Sequence, residues 1–331
     1  MNAETKGTTK QNRSIVLCMT PLHVLTVNAI SNIFGKKFDF GLFVTTRLDE
    51  KAEFYVSRMR RFCGDVRVVV VPNDAEYGSF KYLKIVMRRR KFVSSLGRLG
   101  DFTNCLLPSS LSHYVYAVAT VHGNTISTYD DGILNILPNT PILFRDRSLS
   151  SKILLRLGGI SYWPSKLISK TVRHYSLYEA PNAYGPTTKV QLLQSDVASP
   201  VHNKEAPKGE RFRILLGPAP EAGQDVLGML IEASKQLCFD EILPHPRNAS
   251  FSLDGVRTNS GPLIAEDYIA ALIETRQCCA VELYGFESSA LLNLANCPGV
   301  TTVSLLPRSR ENSAMRNLMS RCGVRLYWSE N

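Results

Sequence analysis

Nowhere in the 331 residues does an uninterrupted apolar run approach the roughly 18–20 positions a helix needs to cross a bilayer, so no helical membrane span is expected. The polar segment Met1–Arg13 lacks the apolar stretch of a signal peptide; it reads as a disordered tail, and the protein as cytoplasmic. The eight cysteines form no C-x-x-C pair: Cys18, Cys63, Cys105, Cys238, Cys297 and Cys322 stand alone, and Cys278 and Cys279 are adjacent. Neither a zinc site nor a disulfide framework is signalled, and buried free thiols are the plain expectation. Also missing are the Walker lysine loop, G-x-G-x-x-G, G-x-S-x-G and H-E-x-x-H. Their absence counts against P-loop enzymes, dehydrogenases, serine hydrolases and zinc peptidases of the usual kinds.

What is present is an excess of positive charge. The net charge is +10, densest over Lys81–Arg98, which holds Lys81, Lys84, Arg88, Arg89, Arg90, Lys91 and Arg98. Nucleic acid, a phosphate-rich lipid surface or a nucleotide-linked substrate would answer such charge; a solvated basic helix face is the ordinary alternative. No nucleic-acid-binding motif accompanies it, so nucleic acid is the weakest of these.

Short apolar runs alternate with helical segments. Ser14–Met19 reads as a strand followed by a helix at Leu22–Phe34, with further strands at Phe38–Thr45, Arg67–Val71, Cys105–Leu107 and Thr125–Tyr129. Continuous apolar runs of this length suit parallel strands covered on both faces. From about Pro138 to Gly209 the rhythm breaks into Pro, Ser, Thr and Asn, with one helix expected within Ser148–Leu157. Alternation resumes with strands at Phe212–Leu216, Glu241–Leu243, Val281–Tyr284, Val300–Leu305 and Val324–Tyr327, and helices between them. The expectation is an α/β protein of two Rossmann-like domains with parallel sheets facing a cleft: a tail at 1–13, a first domain at 14–196, a linker at 197–210 and a second domain at 211–331. Ligands of such sheets bind beyond the carboxyl ends of the strands, so motifs at those ends matter most.

Three qualify. Tyr129-Asp130-Asp131-Gly132 follows a strand, and its paired carboxylates suit a metal, a base or sugar hydroxyls, unless they are an ordinary turn. Leu243-Pro244-His245-Pro246-Arg247 also follows a strand. There His245 suits general-acid chemistry and Arg247 suits a phosphate or base, although a surface histidine is often inert. In Tyr284-Gly285-Phe286-Glu287-Ser288-Ser289-Ala290 a strand turns into a helix opened by two serines. That is a candidate anion site, or plain N-capping.

In this order and spacing the motifs resemble those of bacterial sialyltransferases, and most closely glycosyltransferase family 52, the lipooligosaccharide α-2,3-sialyltransferases of Neisseria and Haemophilus type. The stretches that carry the resemblance are Tyr129–Ile136, Arg213–Gly217, Pro244–Arg247, Asp254–Val256, Ala265–Ile269 and Tyr284–Leu291, densest over Phe212–Leu305. The resemblance implies a GT-B fold and an inverting transfer from a CMP-sialic acid donor, with no metal and no other cofactor. The implied acceptor is a terminal sugar of a surface glycan such as lipooligosaccharide. By resemblance His245 is the general acid or phosphate ligand, and Ser288 and Ser289 hold the donor phosphate. Glu266 lies near the ribose, Arg247 beside the nucleotide, and Pro246, Gly217 and Gly285 complete the substrate-binding set. For the base, a Pro-Asp pair implicated within the family corresponds to Pro220-Glu221 here, with Asp225 as a substitute. Related sialyltransferase families use the first acid of the acidic-acidic-Gly motif, so Asp130, with Asp131 beside it, ranks equally with Glu221. The family further implies a homodimer, and the basic Lys81–Arg98 stretch is expected to hold the protein at an anionic membrane surface. Nucleic acid is not an expected partner. Two rivals stay open: a transferase of the same family using another nucleotide sugar such as UDP-glucose, and a non-catalytic protein that binds glycans or anionic surfaces.

Overall fold

The computed structural model describes residues 12–72, 81–133, 136, 148–179, 182–192, 211–245, 248, 250–275, 280–307 and 314–328. By its internal contacts the chain divides into two compact units. One is Met1–Asp131 with Pro141–Tyr175 and Asn182–Thr188; the other is Gly132–Thr140 with Ser176–Pro181 and Lys189–Asn331.

In the first unit the strands are β1 (Ser14–Cys18), β2 (Phe38–Thr45), β3 (Cys63–Val70), β4 (Asn104–Pro108), β5 (Thr125–Tyr129), β6 (Thr171–Ser176) and β7 (Thr187–Lys189), in the sheet order β3-β2-β1-β4-β5-β6-β7. The pairings from β3 across to β6 are parallel. Helices α1 (Pro21–Phe34), α2 (Glu50–Met59), α3 (Lys81–Gly97), α4 (His113–His122), α5 (Leu149–Leu157) and α6 (Pro164–Lys170) connect or flank them. Local chemistry fixes the entry of α1. The Thr20 hydroxyl accepts the His23 N–H at 3.3 Å, Pro21 opens the first turn, and Gly35 closes the helix in the left-handed conformation. The core is apolar and two-sided: Ile15, Leu17, Leu42 and Leu107 feed one cluster with Phe92 and Leu96 of α3, while Val16 and Phe43, alternating with them, are also buried.

The second unit carries β8 (Phe212–Leu216), β9 (Glu241–Leu243), β10 (Arg257–Thr258), β11 (Val281–Gly285), β12 (Val300–Leu306) and β13 (Arg325–Trp328), in the order β10-β9-β8-β11-β12-β13, all parallel. Its helices are α7 (Gln224–Leu237), α8 (Ala265–Thr275), α9 (Ser289–Leu294) and α10 (Ala314–Arg321). Along β8 the side chains of Ile214 and Leu216 enter one hydrophobic cluster and Leu215 the other, so both faces are covered, as the continuous apolar run requires.

The expected α/β class with two Rossmann-like units is therefore present. One region differs from expectation. The stretch read as a break in the rhythm supplies β6 and β7, which extend the first sheet to seven strands. The residues that β6 buries are His174, Tyr175 and Ser176, so no apolar run betrays it. The linker expected at 197–210 lies outside the described residues.

Candidate active site

Each sheet reverses its strand order once, at β1 in the first unit and at β8 in the second, and the loops leaving the carboxyl ends there are the natural ligand positions. In the first unit those ends bring together residues far apart in sequence. Asp130 is fully buried and receives His174 Nε2 at 2.8 Å. The other nitrogen of His174 meets the Thr128 hydroxyl at 2.8 Å, and its ring stacks on Tyr184 with centroids 5.0 Å apart. Asp131 instead keeps 28% of its side chain exposed and is bonded to His23 Nε2. The Met19 N–H donates to His23 Nδ1 at 3.0 Å, so the ring hydrogen sits on Nε2 and points at the Asp131 carboxylate. Burial pushes the Asp131 carboxyl up, but the His23 ring and the Ser110 hydroxyl outweigh it, and the group ionises below the usual carboxylate range. Gly132 follows with φ at +84°, the conformation that makes glycine the residue of choice for this turn. Consecutive aspartates thus have different environments: one sealed in the sheet, one reaching solvent.

In the second unit, loops after β8, β9 and β11 converge on the reversal. Gly217 is where the chain after β8 passes against the chain after β9. Its N–H bonds to Leu243 O at 2.8 Å, and a Cβ there would meet Pro244 Cα at 3.0 Å and His245 N at 3.1 Å. Asn248 closes the loop, donating from its side chain to Pro218 O at 3.2 Å and from its N–H to His245 O at 2.7 Å. His245 is half-buried on this braced turn. Gly285 has a parallel packing task, since a Cβ would meet Leu216 Cβ at 3.1 Å. Glu221 lies exposed in the turn before α7, as does Asp225 in its first turn. Glu287 takes a left-handed φ of 42° and swings the chain from β11 into α9. There Ser288 is the N-cap, its hydroxyl accepting the Ala290 N–H at 3.3 Å, and Ser289 is the first helical residue.

Glu266, in the first turn of α8, is buried and accepts from Asn293 Nδ2 at 2.7 Å; Asn293 Oδ1 in turn accepts from the Tyr178 hydroxyl at 2.5 Å. Burial pushes the Glu266 carboxyl above its ordinary value, against the Asn293 hydrogen bond. Pro246 and Arg247 lie outside the described residues. Residues that sequence reasoning missed are His174, Asn248, Asn293 and Tyr178, and it did not join His23 to Asp131. Only Asn293 left a local signal, one helical turn after Ser289. Among the described residues no group of three or more His, Cys, Asp or Glu side chains is placed to hold a metal ion, and no helix is long and apolar enough to cross a membrane.

Residues 36–308 match the sequence profile of Glycosyltransferase family 52. An N-acetyllactosaminide α-2,3-sialyltransferase of Haemophilus influenzae is 24% identical over 292 residues, 87% of this chain and 90% of that protein. A CMP-N-acetylneuraminate:β-galactoside α-2,3-sialyltransferase of Pasteurella multocida is 25% identical over 307 residues, 91% of this chain and 93% of that protein. Among solved structures, a Phytolacca americana UGT2 complexed with UDP-2fluoro-glucose and pterostilbene superposes with a TM-score of 0.51 at 10% identity, over 96% of this chain and 86% of that one. The last likeness bears on the fold alone, which is of the GT-B type.

Proposed function

The chain belongs to glycosyltransferase family 52, and from that premise we propose that it moves sialic acid, with inversion, from CMP-sialic acid to a terminal galactose of a bacterial surface glycan. The observation that carries the reading is that the braced His245 turn and the Ser288 helix start leave strands β9 and β11 on either side of the reversal at β8, with Glu266 bonded to Asn293 of that helix, all within the second unit. The names of the two sialyltransferase relatives support the donor and the acceptor class.

In this reading the acceptor hydroxyl oxygen attacks the anomeric carbon as the bond from that carbon to the phosphate oxygen breaks. The bonding electrons leave with CMP. His245 gives a proton or hydrogen bond to the departing phosphate, and the Ser288 and Ser289 hydroxyls add donors to the same charge. Glu266, held by Asn293, takes the nucleoside hydroxyls. Asp131 takes the proton of the acceptor hydroxyl. It is the member of the aspartate pair with solvent access, and its lowered pKa keeps it ionised at neutral pH. Asp130, sealed against His174, positions the turn. The reading includes a cytoplasmic location and a homodimer, the latter tested by light scattering.

The test is CMP release from CMP-sialic acid with a lactose-terminated acceptor in EDTA. Acceptor-dependent release is expected from the wild type, with loss of roughly 100-fold or more in His245→Ala and Asp131→Asn. Turnover with UDP-glucose but not the CMP donor would replace the donor assignment. Loss in Glu221→Gln with none in Asp131→Asn would move the base to Glu221.

A further inference from the structure

The charge of this protein is concentrated in one place. Residues 81–98 and 148–170 contain eleven of the 39 Lys and Arg side chains and none of the 29 Asp and Glu, so the rest of the chain is balanced to within one charge. These segments hold α3, α5 and α6, which lie in the same unit. Helices α3 and α5 meet directly: Arg90 Nε donates to Leu157 O at 2.6 Å, and Gly158, just past α5, approaches so closely that a Cβ would stand 2.8 Å from Arg89 Cβ.

The same corner is bare of apolar cover. Leu149 (76% exposed), Tyr82 (67%), Met87 (62%) and Leu83 (58%) are the most exposed large apolar side chains among the described residues, and all lie on α3 or α5. Along α5, Leu149, Ile153 and Leu157 recur every four residues and form one exposed stripe, while Leu155 is buried on the opposite side. Cations flank that stripe over an aromatic ring. Lys152 Nζ lies 5.2 Å, Arg156 Cζ 5.9 Å and Lys166 Nζ 5.4 Å from the centre of Trp163, at the start of α6.

A solvated helix face would account for the lysines and arginines but not for the leucine stripe. A nucleic acid would account for the charge and leave the aliphatic side chains in water. An apolar ridge rimmed by cations and an indole, with no acidic side chain among them, suits the headgroup region of a bilayer, where each part finds its complement. We propose that the α3–α5 corner docks this protein on an anionic phospholipid bilayer, the Leu149–Ile153–Leu157 stripe entering the headgroup layer while Lys84, Lys91, Lys152 and Arg156 meet the lipid phosphates. This goes beyond the reaction assigned above and does not depend on the donor.

The experiment is sedimentation of the full chain with phosphatidylcholine vesicles that contain or lack phosphatidylglycerol, over a range of salt. Wild type is expected to bind the anionic vesicles and not the neutral ones. Lys84→Glu/Lys91→Glu should weaken binding by at least roughly tenfold, at about fivefold per cation removed. Leu149→Ser/Ile153→Ser should weaken it by roughly tenfold or more and remove whatever binding survives high salt. All four positions are exposed or rim-lying, so both variants should keep the wild-type circular dichroism and urea midpoint, and CMP release with a water-soluble acceptor separates this surface from the active site. Equal binding of neutral and anionic vesicles, or wild-type binding by both variants, would overturn the proposal. So would vesicle indifference accompanied by a concentration-dependent dimer that Leu149→Ser/Ile153→Ser abolishes, or by duplex DNA binding that the lysine variant abolishes.

Discussion

Replacing Gly217 by alanine tests the His245 assignment without touching the histidine. The added methyl would stand 3.0 Å from Pro244 Cα, 3.1 Å from His245 N and 3.1 Å from Phe251 Cδ1. Two of those neighbours are backbone, and the His245 turn is tied on its far side by Asn248 to Pro218 O, so relief requires the turn to move by a few tenths of an ångström. Overpacking of this kind costs about 1–3 kcal/mol of stability. A displacement of about 1 Å at a reacting group costs roughly 100-fold in rate, so a third of that distance should lower kcat by roughly three- to tenfold. The assay is a double-mutant cycle on kcat for CMP release, with Gly217→Ala, His245→Ala and the pair. If the glycine acts through the histidine, adding Gly217→Ala to His245→Ala changes kcat by less than about twofold. Independent, multiplying effects would refute the reasoning.

Three carboxylates, Glu266, Asp130 and Asp131, link the two units' sites to stability. Glu266 ionises above its ordinary value of 4.5, so in the window between that value and the raised one the folded state binds more protons than the unfolded chain. Stability therefore falls as pH climbs through the window and is level above it. Glu266→Gln should remove that slope in urea midpoints and leave a more stable protein at neutral pH, while KM for the donor rises if the carboxylate holds the nucleoside. His174→Ala leaves the Asp130 carboxylate buried without its ring partner and should cost about 3–5 kcal/mol in urea unfolding. Asp131 shows the opposite linkage: with its folded pKa depressed, its contribution is present above the ordinary carboxylate range and is lost as pH falls through the folded value. His23→Ala should therefore flatten the acid limb of the stability curve, which urea midpoints from neutral to acidic pH would measure.

Much of this architecture is legible in the chain because parallel strands buried on both faces must be continuously apolar: FRILL at β8 and SIVLC at β1 announce themselves. His245 and the Ser288–Ser289 pair stand out for the related reason that they sit a few positions beyond such strands, whereas Glu266, in the first turn of α8, is singled out by the family resemblance alone. What could not be read are contacts closed only by folding. His23 and Asp131 are 108 residues apart, His174 and Asp130 are 44 apart, and Tyr178 reaches Asn293 over 115. Nor does sequence say why position 217 is glycine, since the reason is the backbone of Pro244 and His245 arriving from another strand. The β6 strand escaped because it buries only one apolar side chain, Tyr175, between His174, which answers to Thr128 in β5 and Asp130 in the turn beyond it, and Ser176.

The placement of Tyr178 bears on protein engineering. Its segment, Ser176–Pro181, belongs with the second unit although the strands on either side of it belong to the first. A chimera that kept the chain from Lys189 onward and spliced it to a foreign first half would leave that tyrosine behind, and Asn293 would face Glu266 with one tether instead of two. The Glu266 site grafted at that seam should arrive less firmly held, and restoring the six-residue segment together with the C-terminal piece should recover it.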